Sequence, residues 1–124
     1  MYDRVCSELR AGEKRSHWMW FVFPQMVGLG HSEMARRFAI RSRDEARVYL
    51  EHPVLGARLR ECVGILTSIE GRTAAQIFGY PDDLKLRSCL TLFALATTDN
   101  QVFLDALAKY YGGEMDPATL ALFE

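Results

Sequence analysis

Polar residues of the kind that start helices recur along this chain, and each is followed by apolar residues three and four apart. Residues 2–11 place Tyr2, Cys6 and Leu9 on one face, with Val5 beside them, before Gly12 ends the run. Ser32 reads as the N-cap of a helix through about Ile40. Ser42-Arg43-Asp44-Glu45 is an S-x-x-E capping box, opening a helix to Glu51. His52-Pro53 breaks that helix, because proline disfavours helical geometry in the residue before it, and Pro53 can serve as the first residue of the next one. The next helix carries Leu55, Leu59, Cys62, Val63 and Leu66 on one stripe and stops near Gly71. Thr73 caps a short helix ending at Gly79. Pro81-Asp82-Asp83 opens another, with apolar positions Leu86, Cys89, Leu90, Phe93 and Leu95 that suit a central, buried helix. Residues 99–111 align Val102, Phe103, Ala106, Leu107 and Tyr110 ahead of the Gly112-Gly113 stop, and Asp116-Pro117 opens a last short helix.

No segment alternates apolar and polar residues as a half-buried strand does, and no repeat or low-complexity tract interrupts the pattern. The expectation is an all-α fold, a compact single-domain bundle of about seven short helices over residues 1–124. A chain of this length buries roughly two thirds of its unfolded surface, enough for a real core. The stretch least constrained by periodicity is HWMWFVF, residues 17–23, where nearly every side chain is apolar and a buried helix looks like a strand. Pro24 ends whichever element it is.

Several function classes are disfavoured at once. The formal net charge is −1, so no global basic field for nucleic acid exists. Arg36, Arg37, Arg41, Arg43 and Arg47 are interspersed with Glu33, Asp44 and Glu45 and read as a solvated face. The three cysteines, Cys6, Cys62 and Cys89, form no CxxC pair and sit in helical stripes; they read as buried, reduced thiols, which points to the cytoplasm. The N-terminus MYDRVCSELR carries charges where a signal peptide needs an apolar core. The apolar run from Trp18 to Pro24 is too short to span a bilayer, so no membrane role is expected. With no HExxH and no third ligand to join His17 and His52, neither a metal nor a cofactor is expected.

HWMWFVFPQ, then GLG and Ser32, then HPVLG with Arg58-Leu59, then IFGYPDDLKLRSCLTLF and the closing GGEMDPATLALF are long and unusual strings. Together they resemble a bacterial family known as domain of unknown function 1810, across nearly the whole chain. The resemblance implies a compact all-helical domain and implies no activity; the label calpastatin sometimes attached to members finds no support in these residues. Members usually carry one more N-terminal helix with an RF-x-x-AQ-like motif ahead of the YDRV equivalent, which this chain is expected to lack. Cys89 also stands where many members have a second serine after Ser88, weakening any mechanism that needs a hydroxyl there.

The candidate site residues are Lys14, His17, Trp18, Gln25, Lys85, Ser88 and Thr91. His17 follows the basic Lys14-Arg15-Ser16 loop and could act as a general base or an anion contact, or simply bond to backbone. Trp18 and Trp20 do not share a helical face, so one can be core while the other borders a cavity. Gln25 is a polar amide among apolar residues and must find partners, in a ligand or between loops. Gly28-Leu29-Gly30 with His31-Ser32 at a helix start could receive an anion, although a plain turn explains it as well. Lys85, Ser88 and Thr91 share a face and could floor a cavity, or the hydroxyls could bond to carbonyls one turn back while Lys85 reaches solvent. These residues suit a small anionic ligand such as a nucleotide or phosphate ester. The alternative is a non-catalytic protein–protein interaction module built on an exposed apolar face.

Overall fold

The structure is a computed structural model, and it describes residues 1–29 and 32–122. Among these, nine helices are found: α1 (Tyr2–Arg10), α2 (Met19–Val22), α3 (Glu33–Phe38), α4 (Arg43–Glu51), α5 (Leu55–Ser68), α6 (Ala74–Phe78), α7 (Asp82–Ala96), α8 (Gln101–Tyr111) and α9 (Pro117–Ala121). The fold is all-α. Eight of them correspond to the helix starts read from the sequence, and residues 17–23 add one helical turn, α2.

The caps explain most boundaries. The side chains of Ser32, Ser42, Thr73 and Asp116 each accept a hydrogen bond from a backbone N–H in the first turn of α3, α4, α6 and α9. Thr73 forms the full reciprocal box, with the Gln76 side chain accepting from the Thr73 N–H. At Ser42 the box is shifted: Glu45 Oε2 accepts from Arg41 N–H at 3.1 Å, one residue upstream. Pro53 does not begin α5 as expected. It lies in the turn, and His52 caps that turn by accepting from the Val54 and Leu55 N–H groups through Nδ1, each at 3.1 Å. The helix opened by Ser32 ends at Phe38 rather than Ile40, because Ile40 is taken by a parallel β-bridge with Met26. Val27 N–H donates to Ile40 O at 2.7 Å and Ile40 N–H to Gln25 O at 2.8 Å, so the segment carrying α3 is closed at its base.

α7 is the central helix. Leu86, Cys89, Leu90, Leu92 and Phe93 are all buried, and α4, α6, α8 and α9 pack around it. Leu95, expected in the same stripe, is half-buried. α5 forms the second axis, against α1, α4 and α8. One hydrophobic cluster draws residues from α1, α2 and α4–α8. Trp18, Phe23 and Phe78 form an aromatic triangle within it, with ring centroids 5.9–6.3 Å apart. Tyr49, Phe93 and Phe103 form a second stack. The corner between α4 and α5 is so tight that a Cβ on Gly56 would lie 2.0 Å from the Leu50 carbonyl oxygen; only glycine fits there.

Candidate functional site

The residues singled out by sequence divide into two structural clusters and two isolated side chains. The first cluster is centred on Glu8, which sequence reading passed over. Its Oε1 accepts from the backbone N–H of Arg15 and Ser16, at 2.8 and 3.0 Å, and from the Trp18 indole N–H at 2.9 Å. Its Oε2 accepts from the Ser16 hydroxyl at 2.6 Å. Desolvation is the largest single influence on Glu8 and raises its pKa, but the hydrogen bonds from Ser16, Arg15 and Trp18 together outweigh it and hold the carboxyl down at about 2. Trp18 is thereby fixed, fully buried, in the core. Lys14 lies over the Trp18 ring at 5.4 Å and pairs with Asp82 Oδ2 at 2.9 Å. Lys85 approaches the other oxygen of Asp82 at 3.6 Å. Lys14 and Lys85 therefore do meet, as expected of an anion site, but the anion between them is the protein's own Asp82.

The second cluster contains Ser88 and Thr91. The Ser88 hydroxyl donates to Asp116 Oδ2 at 2.9 Å, and Thr91 Oγ1 accepts from Asp116 N–H at 2.9 Å while donating to Arg87 O. Asp116 also accepts from the N–H and hydroxyl of Thr119 and faces Arg87 at 3.7 Å. Ser88, Thr91, Asp116 and Thr119 are all buried. The polar face of α7 is consequently the seat of α9, with its hydroxyls consumed by the Asp116 cap. Of the two readings given for this face, the bonds to carbonyls one turn back are present: Ser88 also donates to Leu84 O at 3.2 Å, and Thr91 donates to Arg87 O at 2.8 Å.

His17 is exposed, and no hydrogen bond to its side chain is found among the described residues. Gln25 is half-buried; its carbonyl serves the β-bridge, and its amide bonds to no described residue. Trp20 is half-buried with an unpaired indole N–H. Gly30 and His31, read as either a plain turn or an anion site, lie outside the described residues; the neighbouring Gly28 has φ +97°. None of the seven candidate residues lines either of the two hollows described below.

The cavity that best fits a ligand lies elsewhere, between α1, α2, α4 and α5. It measures about 150 Å³ and is walled by Val5, Phe21, Val22, Tyr49 and Leu59, with Cys62 at its floor and Met1, Tyr2, Leu55 and Arg58 around its rim. Two polar groups define the rim. The Arg58 guanidinium stacks over the Tyr2 ring, 4.4 Å from its centroid, and forms no ion pair among the described residues. The Tyr2 hydroxyl donates to the Glu61 carboxylate. Burial, then that hydrogen bond, raises the Tyr2 pKa and keeps the phenol protonated. Burial also pushes Tyr49 and Cys62 up to about 12, so the walls stay neutral. Leu55, Leu59 and Cys62 share one stripe of α5 by their spacing. The signal that part of it borders a cavity was Arg58, an arginine inserted between two members of an apolar stripe.

A second, wider hollow is lined by Arg10, Gly12, Ser68, Glu70 and Arg72. The carboxyl ends of α1 and α5 border it, and their dipoles are balanced by the two arginines. No cluster of three or more His, Cys, Asp or Glu side chains that could hold a metal occurs among the described residues. No helix among them is long and apolar enough to cross a membrane.

Comparison with known proteins places this architecture in a family. Residues 1–123 match the family described as "Protein of unknown function (DUF1810)", and the chain belongs to that family. A solved structure, that of the conserved hypothetical protein Rv1873 from Mycobacterium tuberculosis, is 57% identical, with a TM-score of 0.97 over 98% of this chain and 87% of that one. No curated protein matches the chain.

Proposed function

We propose that this member of the family binds a small amphipathic anion, its apolar body in the cavity between α1, α2, α4 and α5 and its carboxylate or phosphate on Arg58. The observation that carries this reading is an apolar cavity rimmed by one guanidinium that forms no ion pair among the described residues. A guanidinium can hold a carboxylate or phosphate ester in bidentate fashion while its face lies on an aromatic ring such as that of Tyr2. Size decides between ligand classes. A cavity on the order of 150 Å³ admits a single benzene-sized ring, whereas whole drug-sized ligands need roughly 300 Å³ or more. The anion is therefore a single-ring or short-chain acid or phosphate ester, and a complete nucleotide is too large. The three free cysteines support a reducing, cytoplasmic setting.

Calorimetric titration with benzoate, phenyl phosphate and hexanoate, alongside neutral benzyl alcohol, tests the reading. Millimolar or tighter binding of the anions, weakened about tenfold by Arg58→Met, which corresponds to about 1.4 kcal/mol, is the expected result. Leu59→Trp, which fills the cavity, should abolish binding of every probe. Absence of binding by all of them would leave the second reading, an interaction module. That reading is favoured by α3, which buries no residue and leaves Met34 and Phe38 exposed.

A further inference from the structure

Arg58 and Glu61 stand three residues apart on α5, and side chains at that spacing are neighbours on a helix surface. Both are exposed, and Glu61 is the one carboxylate of α5. An arginine and a glutamate so placed can pair along the helix. They do not: Arg58 forms no ion pair among the described residues. Tyr2 of α1 engages each of them separately. Its ring lies against the Arg58 guanidinium, 4.4 Å from the ring centroid. Its hydroxyl donates to Glu61 Oε1. The same carboxylate oxygen faces Cys6 Sγ at 3.9 Å, so two side chains of α1 meet Glu61.

Taking the cavity as an anion site, as proposed above, we infer that Tyr2 is a positioning residue of that site: its hydroxyl holds Glu61 away from Arg58 and keeps the guanidinium charge available to the ligand. Without the phenol hydroxyl the Glu61 carboxylate is released, and Arg58 is a partner within reach on the same helix. An incoming anion would then have to displace Glu61 before it could bond to Arg58. The competing pair would be exposed to water, so its cost to anion binding is modest, about two- to fivefold. A neutral ligand that only fills the apolar cavity does not sense whether Arg58 is paired. The hydroxyl of Tyr2 thereby raises the preference of the site for an acid over the matching alcohol. The ring and the hydroxyl have separate duties, because phenylalanine would keep the stacking surface under Arg58 and lose the hold on Glu61.

Calorimetric titration of benzoate and of benzyl alcohol into the unsubstituted chain, Tyr2→Phe, Glu61→Gln and the double variant tests the role of Tyr2. Benzoate should bind Tyr2→Phe about two- to fivefold more weakly than the unsubstituted chain. The double variant has no carboxylate to release and should recover at least the unsubstituted affinity. Glu61→Gln alone should not weaken benzoate, since it removes the competitor. Benzyl alcohol should bind all four proteins alike, whereas a general loosening of α1 would weaken both probes together. Equal benzoate affinity in the unsubstituted chain and Tyr2→Phe, a loss that Glu61→Gln does not rescue, or a parallel loss of both probes would overturn the role of Tyr2 and leave the cavity reading standing. No benzoate binding to the unsubstituted chain would overturn the cavity reading and this role with it.

Discussion

The indole N–H of Trp18 points at Glu8 Oε1, 2.9 Å away, and that bond ties the most distinctive string in the sequence to the first helix. Glu8 holds four donors from the loop, and Trp18 brings the loop into the aromatic triangle with Phe23 and Phe78. Glu8→Ala would leave the buried indole N–H without a partner. It should destabilise the protein by about 1–3 kcal/mol in urea unfolding at neutral pH.

The same carboxylate has a pH signature. Its pKa is lowered from near 4.5 to about 2 on folding, so its contribution is complete above about 4.5 and is lost as pH falls through about 2. Urea midpoints followed from pH 6 to pH 2 should decline, and Glu8→Gln should decline less steeply over that window. Parallel curves for the two proteins would show that Glu8 is not the group responsible.

Two glycines of α5 should respond in opposite senses to alanine. Gly56→Ala places a Cβ 2.0 Å from the Leu50 carbonyl oxygen, which is backbone and cannot swing away; the cost should reach about 3 kcal/mol. Gly64 has open space around its missing side chain, so Gly64→Ala should stabilise by about 0.5–1 kcal/mol through helix propensity alone. Thermal unfolding of both variants checks the pair.

Asp116 should control α9 selectively. Asp116→Ala removes the cap of α9 and leaves the Thr119 hydroxyl without its acceptor, while Ser88 falls back on Leu84 O, at a cost of about 1–3 kcal/mol. Amide exchange should accelerate first at residues 117–121. Uniform acceleration across α5, α7 and α8 would instead mean that α9 does not open as a separate unit.

Lys14 and Lys85 share one carboxylate and should therefore be non-additive. Lys14→Met leaves Asp82 with Lys85, and Lys85→Met leaves it with the closer, less exposed Lys14. Each single change should cost about 1 kcal/mol or less, and the double variant clearly more than their sum, since only then is the half-buried carboxylate unpaired. Additive effects in a double-mutant cycle would refute the sharing.

The helix starts were legible because a cap is a local device: Ser32, Thr73 and Asp116 each bond within three residues, which is what sequence spacing reports. Long-range polar partners were not legible. Asp116 is 28 residues from Ser88, and Lys14 is 68 positions from Asp82; no periodicity links them. The hydroxyls of Ser88 and Thr91 therefore looked available for a ligand when they were already satisfied by another helix. The cavity escaped notice for the opposite reason. Leu55, Leu59 and Cys62 have core spacing, and spacing states which residues share a face without stating whether that face is fully covered.

The Met26–Ile40 bridge gives the chain a place to change. Both ends of the segment carrying α3 are clasped by two backbone hydrogen bonds, and α3 places no side chain in the interior; its ring contact is Phe38 against Phe21. Extending such a clasped segment costs entropy that grows only with the logarithm of its length. Insertions, epitope tags or a grafted recognition loop between Val27 and Ala39 would thus be absorbed by the clasp, leaving the bundle beneath as an unaltered chassis.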